Sequence, residues 1–489
     1  MSAAVDSRVN GHAEVAAANG HKDANGHKDA NGHKEANGHG ILAEDKLWEE
    51  QFLPTPLRLE DAARAHKVTR RLAGLRLCGA SLRRVAATFA KQVRDGLAEK
   101  PSSLQMENTY VPELPNGTEE GTFLALDLGG TNFRVLLLEL NKGQLVREIV
   151  EHYHISDALR LGKGEDLFNF LADCVQDFLR KQNKEHDEFN LGFTFSFPMK
   201  QHSISSGELI TWTKSFNCSG MRGVDLAALL QRCLLARGLR VTVRVLLNDT
   251  TGTLVAGAHL HPEAGIGVIL GTGSNGCYME RAGRVSRWEG WGAFGDDGCL
   301  DFLKTEFDKE VDDNSLLANS FTFEKYIGGK YLGCVLTAAL RALAAGGLFP
   351  APPPPRAIDT ATLSLLEEEN TIGEVSRSIA ALSAACGPLS ADDARVAQHV
   401  AHLISNRAAQ LVSVCIAVLL ERMRRPHVAI AVDGSVYKRH PRIRHLMNSY
   451  IHLLAPQHPF TLLDAEDGSG KGSALTAAIA ARIAARDHS

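Results

Sequence analysis

Hydrophobic residues along the chain fall into short runs of strand length and longer segments with helical spacing. Short apolar runs predict strands at 122–126, 133–140, 190–197, 241–247, 265–270 and 428–432. Helical spacing of apolar positions predicts helices over 57–75, 81–99, 166–181 and 225–236, near 300–310, over 329–345 and 393–424, and from Ser473 onward. Because strands and helices are mixed throughout, the pattern predicts an α/β protein with helices packed over sheets.

The N-terminal segment 1–44 has a different composition from the rest of the chain. From Asn19 it repeats the units NGHKDA, NGHKDA, NGHKEA and NGHG, which contain no bulky apolar side chain. Such a segment cannot offset the entropy of ordering, so we expect a disordered tail. The alternatives for its repeated histidines are a solvated tail, which we favour, and weak transition-metal binding by His21, His27, His33 and His39.

Composition and charge exclude several classes of protein. Among 489 residues, 53 basic and 57 acidic side chains give a formal charge of −4, which argues against nucleic acid or an anionic membrane as the main partner. The nine cysteines are scattered without a CxxC pair, which favours free thiols in a reducing compartment, and we expect a cytoplasmic protein. The start of the chain lacks the pattern of a secretory signal. The apolar segment 411–420 is too short to cross a bilayer, so it predicts a core helix and no membrane anchor.

Two glycine-rich turns, each following a predicted strand, are candidates for phosphate binding. The turn DLGGTN joins runs 122–126 and 133–140, which predicts a hairpin. Its glycines allow a close approach to phosphate, and Asp127 at the strand end could hold a water molecule on a magnesium ion. A plain hairpin turn is the alternative. The second turn, GTGSNG at 271–276, is also rich in glycine and follows the apolar run 265–270. Two such turns, each after a strand, are less expected by chance than one.

A third glycine-rich segment, GSGKGS at 468–473, resembles part of a P-loop but departs from it. Ala465 stands where the first glycine should be, and Gly472 stands where a serine or threonine should bind magnesium. We interpret the segment as a glycine turn that starts the last helix. The proline-rich run at 350–355 predicts a surface loop.

Two polar residues next to apolar runs could act on a hydroxyl and a phosphoryl group. Asp249, in LLNDTTGT, follows a predicted strand directly and could accept a proton from a hydroxyl group. The alternative is that Asp249 caps the next helix. Lys214, in ITWTKSF, could neutralise charge on a transferring phosphoryl group, the alternative being a solvated lysine at a strand end.

Nine segments of the chain resemble the hexokinase family, and they occur in the same order and at similar spacing. These segments are LALDLGGTNFRVLLLEL, LGFTFSFP, TWTKSF, LLNDTTGT, GVILGTGSN, WGAFGDDG, FEKYIGGKYLG, AVDGSVYKRHP and EDGSGKG. The resemblance runs from about residue 45 to the C-terminus and is greatest to animal hexokinases and glucokinase. It implies a two-lobed fold of the actin, Hsp70 and sugar-kinase type, built of duplicated ribonuclease-H-like domains around a central cleft. The implied large lobe is 45–110 with 248–470, and the implied small lobe is 111–247 with the C-terminal helix 471–489.

The resemblance also implies the reaction and the residues that take part in it. The family transfers the γ-phosphoryl group of MgATP to the 6-hydroxyl of glucose and related hexoses, so ATP and Mg²⁺ are the implied cofactors of a protein that we expect to be a monomer. Asp249 is implied as the general base and Lys214 as the lysine near the γ-phosphate. The implied sugar contacts are Ser196, Phe197, Pro198, Thr213, Lys214, Asn248, Asp249, Asn275 and Glu324. The implied nucleotide contacts are Asp127, Gly129, Gly130, Thr131, Asn132, Thr272, Lys330, Asp433, Gly434, Ser435, Gly468 and Gly470.

The sequence departs from the family before AFGDDG. The family has Glu-Trp-Gly there, but Gly290 stands in place of that glutamate, Glu289 lies one residue earlier, and Trp288 replaces an asparagine. Adjacent residues point in different directions on most backbones, so Glu289 substitutes for the lost sugar ligand only if the backbone rearranges. Loss of a charged acceptor would weaken sugar binding by about 1.5–3 kcal/mol.

Three further residues differ from the family pattern, and two alternative functions remain open. Ser215 replaces a common glycine after TWTK, Cys334 replaces a common glutamate, and Ser435 replaces a threonine while keeping the hydroxyl. The change at Gly290 motivates one rival, a catalytically weak sugar-binding or regulatory protein. A second rival is another phosphotransferase on the same fold, such as a glycerol kinase or an actin-like ATPase, and the segments FTFSFP and TWTKSF argue against it.

Overall fold

The computed structural model describes residues 50–104, 106–129, 132–280, 291–368 and 377–487. The chain divides into two compact units, Met1–Leu47 and Trp48–Ser489, and all described residues belong to the second unit. The predicted tail 1–44 lies outside the described residues. So do Gly130, Thr131 and the segment 281–290, which contains Trp288, Glu289 and Gly290, and the expectations for these residues stay predictions.

The strands of the described residues form two main sheets and a small ribbon. In chain order they are β1 (Gly121–Leu128), β2 (Asn132–Asn141), β3 (Gln144–His154), β4 (Phe189–Phe195), β5 (Met199–Ser203), β6 (Ser206–Leu209), β7 (Val241–Leu247), β8 (Ala264–Leu270), β9 (Ser274–Tyr278), β10 (Val428–Asp433) and β11 (Phe460–Asp464). The first sheet has the order β3-β2-β1-β4-β7, and the second has the order β11-β10-β8-β9. Strands β1, β4 and β7 run parallel, as do β8, β10 and β11, while β1–β2–β3 and β8–β9 are antiparallel.

Helices cover both sheets. In chain order they are α1 (Ala62–Arg71), α2 (Gly79–Leu97), α3 (Asp157–Arg160), α4 (Gly164–Lys181), α5 (Leu226–Ala236), α6 (Asp249–Leu260), α7 (Glu306–Asp313), α8 (Thr322–Ile327), α9 (Gly329–Ala345), α10 (Thr360–Glu368), α11 (Arg377–Cys386), α12 (Ala391–Met423), α13 (Ser435–Arg439), α14 (Ile443–Leu454) and α15 (Gly468–Asp487). Parallel strands need both faces covered. In the first sheet, α4 and α5 pack on one face, and α15 packs on the other.

The longest helix, α12, lies in the main core. It starts with a capping box in which Ser390 and Asp393 each bind the other's backbone amide. The helix is long and apolar enough to cross a membrane by composition, but 94% of its most apolar 18-residue window is buried by the protein around it. The prediction that 411–420 belongs to a core helix is therefore confirmed.

The two main sheets are joined by helices α6 and α15, whose backbones touch. Helix α6 packs on β8 and β10, and α15 packs on β1, β4 and β7. A Cβ atom on Gly472 of α15 would lie 1.8 Å from the carbonyl oxygen of Gly252 in α6. A Cβ atom on Gly192 of β4 would lie 2.1 Å from the carbonyl oxygen of Ser473. Glycine is therefore required at this crossing because the neighbouring backbone occupies the space that a side chain would need.

The predicted elements are confirmed in type and differ mainly at their ends. The helix predicted from residue 57 begins at Ala62, because Asp61 caps it by accepting the Arg64 amide. The final helix begins at Gly468, not at Ser473, so the GSGKGS segment forms its first turns. Strand β3 was missed because it is an edge strand rich in charged side chains, which hides the apolar alternation.

Candidate active site

The segment after β4 is held by a cluster of aromatic rings. Phe197 follows the strand, and its ring centroid lies 5.0 Å from those of Trp212 and Phe216. Trp212 and Phe216 stack with centroids 5.6 Å apart, and the Trp212 indole donates a hydrogen bond to the Cys218 carbonyl at 2.8 Å. The aromatic cluster therefore fixes both ends of the short segment that carries Thr213 and Lys214.

Thr213 to Phe216 form a tight turn with an unusual backbone. The Phe216 amide donates to the Thr213 carbonyl at 3.0 Å, and both central residues have left-handed angles, with φ of 54° at Lys214 and 72° at Ser215. These features define a type I′ turn, which strongly favours asparagine and glycine at its two central positions. The protein thus holds Lys214 at the tip of a strained turn, and surrounding packing supports that conformation.

Lys214 faces Asp249 across the cleft. Asp249 is the first residue of α6, directly after β7, and its Oδ2 lies 3.7 Å from Lys214 Nζ. The N-cap of α6 is Asn248, whose Oδ1 accepts the Thr250 amide at 3.0 Å, so the alternative that Asp249 is the capping residue is wrong. Asp249 Oδ1 also accepts the Thr250 amide, at 2.9 Å, which orients the carboxylate and leaves Oδ2 toward the lysine.

Glu324 and Asn275 come from two further elements. Glu324, in α8, accepts the Ser274 amide at 3.0 Å. Burial raises the pKa of Glu324 above its ordinary value, although the Ser274 amide, Lys214 and Lys330 act in the opposite sense. Asn275, in β9, donates to Asn248 Oδ1 at 3.2 Å and accepts the Trp291 amide at 3.1 Å. The two asparagines therefore hold each other in place beside Asp249.

These side chains line one cavity of about 310 Å³. Ser196 lines this cavity and is 5% exposed, and its buried hydroxyl has no hydrogen-bond partner among the described residues. A buried hydroxyl without a partner indicates a place for a ligand's polar group. The predicted sugar contacts that the structure brings together around the cavity are Ser196, Phe197, Pro198, Thr213, Lys214, Asn248, Asp249, Asn275 and Glu324. Glu289 lies outside the described residues.

Sequence reasoning missed part of the cavity wall. Ser103, Glu107, Asn108 and Thr109 come from the segment before β1, and Asp296 comes from the segment after Trp291. The stretch 103–109 contains no glycine turn or apolar period to mark it, although AFGDDG does contain Asp296. The charged side chains in the described wall are one ammonium and four carboxylates, so the cavity suits a neutral polar ligand better than an anion.

The predicted nucleotide side lies at the carboxyl ends of β8 and β10, where three backbone segments touch. Gly434 has a φ of 115°, and a Cβ on it would lie 2.5 Å from the Leu270 carbonyl carbon. The Lys330 amide donates to the Thr272 carbonyl at 3.0 Å. The Gly468 amide donates to Asp433 Oδ2 at 3.0 Å, and Lys438 pairs with Asp433 Oδ1 at 2.6 Å. Ser435 follows Gly434 as the first residue of α13, and Gly470 lies in the first turn of α15.

Asp127 and its surroundings bear on the expected magnesium site. Asp127 is buried at the end of β1, where it forms an ion pair with Arg134 and accepts the Ser469 hydroxyl at 2.8 Å through the same oxygen, Oδ2. Its other oxygen, Oδ1, takes part in neither of these two contacts. No group of three or more His, Cys, Asp or Glu in the described ranges is placed to hold a metal. A single carboxylate of this kind is a donor that a magnesium ion accepts together with phosphate oxygens and water.

Lys330, an expected nucleotide contact, and Cys334, one of the departures from the family, occupy successive turns of α9. Burial lowers the pKa of Lys330, while Glu324 acts in the opposite sense. The Cys334 thiol lies 3.7 Å from the Lys330 carbonyl oxygen, within a helix that continues from Gly329 to Ala345. Asn132 is the first residue of β2.

The mixed α/β sheets covered by helices form the actin-like fold that sugar kinases share, and the comparisons with known proteins identify the family. Two family models described as hexokinase match residues 67–259 and 265–479. The solved structure of hexokinase from Schistosoma mansoni complexed with glucose is 34% identical in sequence and superposes with a TM-score of 0.79. The match covers 86% of this chain and 100% of that one. The chain belongs to the hexokinase family.

Curated relatives give the same family. Human (Homo sapiens) hexokinase-3 is 38% identical over 445 residues, which are 86% of this chain and 48% of the relative. Mouse (Mus musculus) hexokinase-1 is 36% identical over 475 residues, which are 91% of this chain and 48% of the relative. The chain thus spans about half the length of the curated relatives it matches.

Proposed function

We propose that this protein is an ATP-dependent hexokinase that transfers the γ-phosphoryl group of MgATP to the 6-hydroxyl of glucose and related hexoses. The observation that carries the proposal is the placement of Lys214 Nζ 3.7 Å from Asp249 Oδ2 in the wall of a polar cavity. At this distance both groups can act on one hydroxyl: the carboxylate accepts its proton, and the ammonium stabilises the phosphoryl group that it receives.

In this proposal Asp249 Oδ2 accepts the proton of the 6-hydroxyl as its oxygen attacks phosphorus. Lys214 stabilises the negative charge on the transferring group. Asn248, Asn275 and Glu324 bind the remaining hydroxyls, each of which must exchange water hydrogen bonds for protein ones. Phosphoryl transfer requires mainly positioning and charge neutralisation, and both are supplied by rigid elements: the start of α6, the aromatic cluster and α8.

The nucleotide would lie along the segments at the ends of β8 and β10. Thr272 and Ser435 offer hydroxyls, Gly434 and Gly468 permit close approach, and Lys330 offers an ammonium. A magnesium ion, when bound, would neutralise charge on the phosphate oxygens, with Asp127 reaching it through water.

We also propose a cytoplasmic location. All nine cysteines are free thiols, and burial raises the pKa of several of them, including Cys277 and Cys415. Unpaired buried thiols are typical of a reducing compartment. Fractionation of cells that express the protein would test the location, and recovery with secreted proteins would contradict it.

The experiment that tests the function is glucose-dependent release of ADP from MgATP by the full chain. Formation of glucose 6-phosphate is followed in parallel with a coupled dehydrogenase. We expect turnover with glucose and none with 6-deoxyglucose, which keeps the ring hydroxyls but lacks the acceptor, or with glycerol. If glucose raises the melting temperature without any ADP release, the protein is a sugar-binding relative and the proposal is wrong.

A further inference from the structure

We propose that the buried ion pair between Lys325 and Asp312 positions Glu324, so that Lys325 sets the affinity for the sugar without touching it. This inference rests on the proposed function and names two positioning residues for the same site. Neither residue lines the sugar cavity, and both lie behind the wall that carries Glu324.

Lys325 is buried and fully engaged. It is 4% exposed, and its Nζ lies 2.5 Å from Asp312 Oδ1 and 2.6 Å from the Leu317 carbonyl oxygen. Asp312, 5% exposed, also receives the Lys304 ammonium at 3.1 Å and the Asn319 amide at 3.0 Å. Burial by itself would raise the pKa of Asp312, but hydrogen bonds from Lys325 and Lys304 hold it below its ordinary value. A buried ammonium and carboxylate persist only when they are paired in this way.

Helix α8 needs such an anchor because it is short. A helix of six residues has too few internal hydrogen bonds to be stable by itself. Its N-cap, Phe321, has a left-handed φ of 56° and provides no side-chain cap. Asp296 binds the amides of Phe321 and Thr322 at 2.9 and 2.8 Å, and Lys325 attaches the middle of the helix to Asp312 at the end of α7.

The same ion pair also holds the loop between α7 and α8. Lys325 binds the carbonyl of Leu317, and Asp312 binds the amide of Asn319. This loop leads into Ser320 and Phe321, which line the cavity. Glu324 and Lys325 are neighbours on one helical turn. If loss of the ion pair lets α8 rotate or shift, the Glu324 carboxylate moves away from the Ser274 amide and from the cavity.

The test separates glucose affinity from turnover. In Lys325→Met we expect the glucose KM to rise about tenfold, as for loss of one well-placed hydrogen bond, while kcat and the KM for ATP change less than about threefold. Lys325→Arg keeps the charge and should recover most of the affinity. Lys309→Met, which removes an exposed lysine on α7, is the matched control and should leave glucose KM unchanged.

The decisive readout is whether Lys325 acts through Glu324. Glu324→Gln should raise the glucose KM by roughly ten- to a hundredfold. If Lys325 only positions Glu324, adding Lys325→Met to Glu324→Gln raises KM by less than about twofold further. An equally large effect in both backgrounds, or a wild-type KM in folded Lys325→Met, overturns the inference.

Two measures keep the test independent of folding and of turnover. If Lys325→Met does not fold, the double variant Lys325→Met/Asp312→Asn removes both charges, and Asp312→Asn alone keeps the side-chain shape. Glucose affinity is also measured by intrinsic fluorescence, since Trp291 packs against Ser274 beside the cavity. If the wild type phosphorylates glucose and the Lys325 and Asp312 variants keep its glucose KM, only this inference is wrong. If the wild type neither binds nor phosphorylates glucose, the proposed function is wrong as well.

Discussion

Lys214 Nζ lies 3.7 Å from Asp249 Oδ2, and this separation is longer than a hydrogen bond. Both side chains are largely shielded from solvent, with 16% and 12% of their surfaces exposed. The two opposite charges are thus close together but make no direct hydrogen bond to each other. This geometry distinguishes the pair from the contact between Arg407 and Asp308, which is closed by two hydrogen bonds at 2.7 and 2.8 Å in the core.

Substitution Lys214→Met should therefore lower kcat without greatly changing sugar affinity. Removal of one preorganised charge that acts on the transition state lowers kcat by about 10²–10³. We expect this loss in steady-state kinetics, with a glucose KM that changes less than about fivefold. Lys200→Met, which removes an exposed lysine on β5, is the control. A kcat equal to that of the wild type would show that Lys214 does not act on the transferring phosphoryl group.

Substitution Ser215→Gly should stabilise the protein. Ser215 occupies a central position of the type I′ turn with φ of 72°, where glycine has no steric penalty. Release of this strain should raise the free energy of unfolding by about 1 kcal/mol. Ser205→Gly, at an exposed turn position without a positive φ, should be neutral or slightly destabilising. Denaturant titration measures both, and a destabilised Ser215→Gly would contradict the strain argument.

Much of the fold and the site could be predicted from the sequence because the relevant signals are local. Apolar runs mark β1, β4, β7, β8 and β10, and each of the glycine and asparagine turns follows a buried strand. Asn248 follows β7 of the first sheet and Asn275 lies in β9 of the second, and the two side chains meet although 27 positions separate them.

Other features depend on contacts that the sequence does not record. The neighbour of Gly472 is known only once α6 and α15 are placed, and nothing local indicates that Gly252 lies against it. Asp127 pairs directly with Arg134, its partner in the β1–β2 register, but both also contact the Ser469 hydroxyl, which lies more than 330 positions further along the chain. Charged edge strands such as β3 carry too little apolar alternation to be recognised.

Substitution Gly472→Ala should destabilise the protein and lower its activity. The added methyl group would collide with the Gly252 carbonyl, and neither backbone can move without shifting a helix. Overpacking of this kind lowers the free energy of unfolding by about 1–3 kcal/mol or more. Gly346→Ala is the control, because its Cβ would meet nothing closer than 3.5 Å. Thermal melts that give the same Tm for Gly472→Ala and wild type would contradict the close helix crossing.

Stability should fall in acid in part because of His440. Burial lowers the pKa of this histidine to about 4. Its Nδ1 accepts the amides of Arg442 and Ile443, and its Nε2 lies 2.9 Å from the Ser405 hydroxyl, so a proton on Nδ1 would break two hydrogen bonds. The unfolded chain binds a proton near pH 6.5, hence stability is full above that pH and is lost as pH falls toward about 4.

Substitution His440→Asn tests this contribution because asparagine offers an acceptor that does not titrate. Between about pH 7 and pH 5 the wild type should lose about 2 kcal/mol more stability than the variant. Denaturant titration at both pH values gives the difference. His66→Asn removes an exposed histidine of α1 and should keep the wild-type pH dependence. Identical pH dependence in His440→Asn and wild type would show that His440 does not contribute.

The most direct test of the central claim is turnover by Asp249→Asn, in which the carboxylate is replaced by an amide of the same shape. The variant keeps a hydrogen-bonding group beside Lys214 but cannot take a proton, so the rate of glucose-dependent ADP release should fall by about 10²–10⁴, with glucose binding retained. Asp166→Asn, at an exposed position of α4, should keep the wild-type rate. Full turnover by folded Asp249→Asn would contradict the assignment of Asp249 as the base.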